Sequence, residues 1–340
     1  MSNDRSCPHH SARQLAEARL SRRRFLRRSA VLGAGVGGLH WAFDAPGVSA
    51  AEPAGDKQRT LRFAHITDVH VQPERGAPAG MAAALAHLQG LDDPPEMVLT
   101  GGDAIMDALA ADAARTDLQW KLWQQVLAAD CSLPLEHCLG NHDVWGWDQT
   151  ASHTSGQEAA WGKQRALDAL GLERTYRSFD RGGWHWIVLD SIFPDPATVY
   201  IARLDDDQFD WLAEDLARTP LETPVIVISH IPILSVAQIE FAELIAEDPR
   251  RARMGAHVDA RRIIELFKNH PNVRLCLSGH LHLLERIEYA GVTYLCSGAV
   301  SGYWWKGDHA TTDEGYSLVD LYNDGTFAHH YVPYGWQVQG

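Results

Sequence analysis

Five short apolar runs in this 340-residue chain each stop at side chains able to bind a metal ion, and no other feature constrains the fold as much. Residues 61–67 run into Asp68-Val69-His70, and 97–100 into Gly101-Gly102-Asp103. Residues 135–139 run into Gly140-Asn141-His142-Asp143, 224–229 end at His230, and 273–278 run into Gly279-His280-Leu281-His282. Apolar runs of this length read as strands, and helical spacing separates them at 81–91, 108–129, 205–218 and 258–269. Phe209, Leu212 and Leu216 share one face of the third helix. Alternation of this kind predicts an α/β fold with a largely βαβ sheet. In such sheets the loops beyond the carboxyl ends of the strands gather ligands, so the five polar positions are expected to converge. A hairpin is expected at 176–190 around Arg181-Gly182-Gly183, after an insertion at 144–173. Two more turn at Ala290-Gly291 and Asn323-Asp324-Gly325. One domain is expected over 60–340.

An isolated Asp-x-His or His-x-His pair recurs by chance. Five matches in order, each directly after an apolar run, carry more weight, and glycines at three of them let the backbone turn sharply. Carboxylates, an amide and neutral imidazoles suit Zn, Mn or Fe, and the lack of Cys among them argues against a structural zinc site. The metal-capable residues Asp68, His70, Asp103, Asn141, His142, His230, His280 and His282 exceed the needs of one ion with an open position, so two divalent or trivalent ions are expected. Two metals about 3.5–4 Å apart can share a carboxylate and a hydroxide and clamp a phosphoryl group during in-line displacement.

Taken together, these five motifs resemble the calcineurin-like metallophosphoesterase family over nearly all of the chain beyond residue 60. The resemblance implies a four-layer αββα sandwich of two mixed sheets flanked by helices. It implies that Asp68, His70 and His282 bind one metal, that Asn141, His230 and His280 bind the other, and that Asp103 bridges them. His142 would be the catalytic histidine that assists the leaving group after attack by a metal-bridging hydroxide. The Tyr that purple acid phosphatases carry three residues after the bridging Asp is Met106 here. The Asp-Arg-Gly run of serine/threonine protein phosphatases lacks its Arg, and its acid is displaced to Asp107, which reads as a solvated acid opening a helix rather than as a partner of His142. The pattern is most similar to class III cyclic nucleotide phosphodiesterases. The expected activity is hydrolysis of small phosphodiesters or phosphomonoesters, with a non-catalytic metal-binding interaction module or a protein phosphatase as alternatives.

Composition bears on where such an enzyme works. Residues 1–50 carry eight Arg, no Lys and three acids, with Ser21-Arg22-Arg23-Arg24-Phe25-Leu26-Arg27 before a mild apolar stretch and Val48-Ser49-Ala50 after it. That order reads as a cleaved export signal and resembles the twin-arginine type, which implies the twin-arginine export machinery as a partner and a periplasmic or secreted product. The formal net charge of −14 becomes −19 without those residues, which disfavours a nucleic-acid polymer as partner. No apolar run is long enough to span a bilayer, and no Cys follows the cleavage pattern, so no stable membrane anchor is expected. Trp145, Trp147 and Tyr303-Trp304-Trp305 either pack the inserted segment or form an aromatic wall for a small phosphate-ester substrate, the former being favoured. Lys306 and Arg181 are the nearby basic residues that could meet a second phosphate. Cys276 and Cys296 lie in apolar runs and are expected as buried free thiols.

Overall fold

The computed structural model describes residues 56–338, so the expected export segment lies outside it. β1 (Arg59–Ile66) is followed by α1 (Ala77–Gln89), β2 (Met97–Thr100), α2 (Ala113–Asp130) and β3 (Leu135–His137). The inserted segment forms two short helices, α3 (Gln149–Ser152) and α4 (Gln164–Leu170), before the expected hairpin of β4 (Arg177–Arg181) and β5 (Trp184–Val188). A small second hairpin, β6 (Ile192–Asp195) and β7 (Val199–Ala202), precedes α5 (Asp206–Arg218) and β8 (Val225–Ile228). Three short helices, α6 (Ala237–Glu240), α7 (Ala242–Glu247) and α8 (Arg251–Gly255), lead to α9 (Ala260–Lys268) and β9 (Val273–Ser278). The last strands pair as β10 (Glu285–Tyr289) with β11 (Val292–Cys296) and β12 (Gly315–Tyr322) with β13 (Phe327–Pro333).

Two mixed sheets result, ordered β13-β12-β1-β2-β3 and β10-β11-β9-β8-β5-β4. β1, β2 and β3 are parallel in the first, and β5, β8, β9 and β11 in the second. The period-2 alternation of each strand sets the layers. Leu61 and Phe63 of β1 join Trp184, Trp186, Ile226, Ile228 and Leu277 between the sheets. Ala64 and Ile66, of opposite parity, pack with Leu85 of α1 and Trp120 and Trp123 of α2. On the far side, Val225 and Val227 pack with Leu212 and Leu216 of α5 and Ile263 and Phe267 of α9. This is the expected helix–sheet–sheet–helix sandwich. Burying one indole, such as that of Trp184 or Trp186, removes roughly 200 Å² from water, about 5 kcal/mol by area. Their N–H groups donate to the Tyr322 and Arg181 carbonyls. The middle layer thereby fixes both sheets, and with them the strand ends that carry the polar motifs.

Two helix starts differ from the sequence expectation. α1 begins at Ala77 rather than at 81. α2 begins at Ala113 rather than at 108, with Asp112 as its N-cap accepting from the Arg115 amide at 2.8 Å. The preceding alanine-rich residues are tied elsewhere. The Val71 amide donates to the Ala104 carbonyl, Met106 to Val71, and Ala108 to His142. Asp107 thus lies outside the helix and accepts from the Ala110 amide in a local turn. The four cysteines among the described residues are free, with Cys138, Cys276 and Cys296 buried.

Candidate metal centre

Every predicted ligand follows the carboxyl end of a parallel strand: Asp68 and His70 after β1, Asp103 after β2, Asn141 after β3, His230 after β8, and His280 and His282 after β9. Both sheets therefore contribute, and the eight residues expected at the site, His142 included, come together. Most of the ligand loops adopt backbone that L-residues rarely use. φ is +54° at Asp68, +49° at His70, +52° at Asp103, +69° at His280 and +56° at His282. The glycines serve space as much as turning. Gly140 is extended, but a Cβ there would lie 2.1 Å from Asp103 Oδ1, and one on Gly279 would lie 2.3 Å from Asp68 Oδ2.

Three overlapping ligand groups form: Asp68 with His70 and His282, His70 with Asp103 and His142, and Asp103 with His230 and His280. Hydrogen bonds orient two of the imidazoles. His230 Nδ1 lies 2.8 Å from the Gly101 carbonyl, and His282 Nδ1 lies 2.5 Å from that of Gly302. Each Nδ1 must carry its proton there, which turns the Nε2 lone pair inward. His230 Nε2 then faces Asn141 Oδ1 at 3.2 Å and Asp103 Oδ2 at 3.2 Å. His282 Nε2 faces His70 Nε2 at 3.1 Å and Asp68 Oδ1 at 3.3 Å. Lone pairs turned on lone pairs in a buried cavity repel unless a cation lies among them. The donors present fit a borderline or hard metal ion.

The protonation equilibria tell the same story with a proton in place of the metal. Burial pushes the His230 imidazole down, but the Asp103 carboxylate beside it wins and raises it to about 9. His282 is likewise raised by Asp68 against burial. Asp68 and Asp103 are held below the usual carboxylate range by those imidazoles, although burial opposes this. Burial, aided by His230, lowers His280 to about 4, which keeps its ring neutral as a ligand requires.

His142 lies with its ring centroid 4.7 Å from that of His70, at 88°. Its backbone amide donates to Asp103 Oδ1 at 2.8 Å, and its Nδ1 lies 2.5 Å from the Met106 carbonyl. That carbonyl, not Asp107, orients the ring. A residue that sequence reasoning passed over is Asp143. Its buried carboxylate accepts from the amides of Gly140 at 2.8 Å, Ala104 at 2.9 Å and Asp103 at 3.0 Å, so one side chain binds two ligand loops together. Burial and the nearby Asp103 push that carboxyl up to about 7. Its place directly after Asn141-His142 was the available signal, but the role comes from the loop it meets 40 residues away.

The aromatic residues divide. Trp145 is buried and donates to the Ala111 carbonyl, and Trp147 packs near Trp161 and Lys163. Trp305 is fully buried and donates to the His70 carbonyl at 3.1 Å. Trp304 alone of these four turns to the centre, its ring 5.4 Å from that of His282. Lys306 lies over Tyr303 and Trp304. Arg181 sits at the wrong end of the sandwich, 3.2 Å from the sulfur of Met97, which begins the strand whose other end leads to Asp103. It cannot meet a second phosphate.

Comparison with known proteins finds relatives at low identity over most of the chain. The chain is 24% identical over 291 residues to a 3',5'-cyclic-nucleotide phosphodiesterase of Nostoc sp., covering 82% of this chain and 95% of that one. It is 27% identical over 235 residues to a probable cyclic nucleotide phosphodiesterase of Synechococcus sp., covering 67% and 76%. A dimetal phosphatase from Danio rerio superposes with a TM-score of 0.54 at 14% identity, covering 82% of this chain and all of the other, and so shares its fold. Residues 61–284, which hold every predicted ligand, match the family model described as calcineurin-like phosphoesterase, and the chain belongs to that family.

Proposed function

We propose that this protein is an exported, dinuclear phosphoesterase acting on small phosphodiesters or phosphomonoesters. The observation that carries the reading is the set of inward-facing lone pairs on Asp68, His70, Asp103, Asn141, His230 and His282, arranged on both sides of the Asp103 carboxylate. Asp68, His70 and His282 would hold one ion and Asn141, His230 and His280 the other, with Asp103 between them. Bound there, two ions supply an activated water nucleophile at neutral pH and a positive clamp for the phosphoryl oxygens.

The chain's own residues supply the rest. The Gly101 and Gly302 carbonyls lock the His230 and His282 rings, and the His142 amide locks Asp103. With Nδ1 donating to the Met106 carbonyl, protonation of His142 places the second proton on Nε2. That proton is free to pass to the leaving alkoxide. Metal analysis with parallel assays on an aryl monoester, an aryl diester and 3',5'-cyclic nucleotides tests the reading. Two equivalents of metal and chelator-sensitive turnover are expected; inertness of metal-replete protein toward all three sinks it.

Export rests on the Arg22-Arg23 pair and the apolar stretch and cleavage pattern behind it. Changing both arginines to Lys should strand the protein in the cytoplasmic fraction. Unchanged export would remove the twin-arginine route.

A further inference from the structure

A cavity of about 630 Å³ opens directly beside His280 and His282. Its volume is in the range of small-molecule sites. Its walls are mostly carbon: Phe241 from the turn between α6 and α7, Leu244 and Ile245 from α7, Met254 from α8, Leu281 between the two histidines, and Trp304. Among the described residues, Asp248 and Arg251 are its Asp, Glu, Lys or Arg members, and Asp248 is engaged by Arg250 at 2.8 Å. His142 is not among its walls. A group leaving past His142 therefore departs elsewhere, and the cavity is placed to receive a different substituent on the same phosphorus. A phosphomonoester has none.

We infer that this cavity binds the retained substituent of a small phosphodiester, an apolar ring or short alkyl chain, and so makes the protein a diesterase selective for such groups. The inference rests on the phosphoesterase reading above. In the step concerned, a water oxygen bonds to phosphorus and the P–O bond to the leaving alcohol breaks. One proton of the water ends on that alcohol, and the retained group stays on the product monoester. Leu244 is 42% exposed, so the cavity wall it forms is reached from solvent.

The test compares phenyl 4-nitrophenyl phosphate with methyl 4-nitrophenyl phosphate, which share a leaving group and differ in the retained one. After division by the uncatalysed rates, kcat/KM is expected to favour the phenyl ester by roughly 10- to 100-fold, from about 100 Å² of added apolar burial. Filling the cavity with Leu244→Trp should reduce that ratio at least fivefold, with melting temperature and metal content as checks on folding. Phenylphosphonate should inhibit the unaltered protein more tightly than methylphosphonate by a similar factor, a measurement independent of any variant. A ratio near one in an active protein, or equal phosphonate affinities, overturns the assignment of the cavity while leaving the phosphoesterase reading intact. Metal-replete protein inert toward both diesters but active on an aryl monoester or a 3',5'-cyclic nucleotide likewise overturns this assignment alone; inertness toward all of them overturns the phosphoesterase reading, and this one with it.

Discussion

Gly80 in α1 should resist replacement by alanine. In most helix interiors Gly→Ala stabilises by about 1 kcal/mol. Here a Cβ would lie 2.1 Å from Cζ3 of Trp305, 2.7 Å from Cη2 and 2.8 Å from Cε3. The indole is fully buried and packs edge-on against Trp336, with centroids 5.5 Å apart, so it has little room to retreat. Overpacking of a core costs about 1–3 kcal/mol, and three ring atoms in conflict put this site near the upper end. Less the helix gain, a net loss of ~2 kcal/mol remains, a drop of roughly 3 °C in melting temperature for a domain of this size. The effect should reach the site, because the Trp305 indole donates to the His70 carbonyl. Disturbing such a support costs about 10-fold in metal affinity. Thermal melts and metal titration of G80A read both effects, and Trp305→Phe in the same background should recover part of the melting loss. A G80A protein that melts at or above the parent with unaltered metal affinity refutes the reasoning.

Other perturbations separate roles within the site and the body. H142A should keep its metal but lose about 10²–10⁴ in turnover of alkyl esters. The loss on 4-nitrophenyl esters, whose leaving group needs little protonation, should be smaller; equal losses would remove His142 as the acid. D143N replaces one of two accepting oxygens with an NH₂ that faces backbone N–H groups, and metal affinity should fall roughly 10- to 100-fold. Unchanged affinity would show that the loops hold themselves. His185 sits between Asp215 at 2.9 Å and Asp180 at 2.7 Å and is raised above the ordinary histidine range, chiefly by its bond to Asp215. Its contribution to stability is present below the unfolded pKa of about 6.5 and is lost as pH rises through the higher folded value. The melting difference between the parent and H185Q should therefore be largest near pH 5–6 and shrink above it; a difference independent of pH would contradict the ion pairing.

Much of this molecule can be read along the chain because its ligands sit where strands stop. Residues 97–100 form a strand at the expected bounds, since a four-residue apolar run between polar neighbours leaves little freedom. β6 and β7 escape such reading because Pro194 interrupts the run that would announce a strand. The alanines from 108 onward look helical by composition, yet their backbone is engaged by the site loops. Tertiary hydrogen bonds outweigh a propensity of a few tenths of a kcal/mol per residue. Likewise no spacing rule separates Trp304 from Trp305. Neighbours in sequence, one faces the cluster of candidate ligands and the other supports it from behind.

The left-handed backbone at Asp68, His70, Asp103, His280 and His282 has an evolutionary consequence. At each of these positions glycine is the residue that the local backbone accepts with least strain. Replacing a ligand by glycine would also remove a buried charge or a lone pair in conflict. Mutational drift therefore has a downhill path on which the fold grows more tolerant as the chemistry disappears. A chain with Asp or His at all five positions, as here, stands at the top of that slope, where a bound cation would make the local choices favourable.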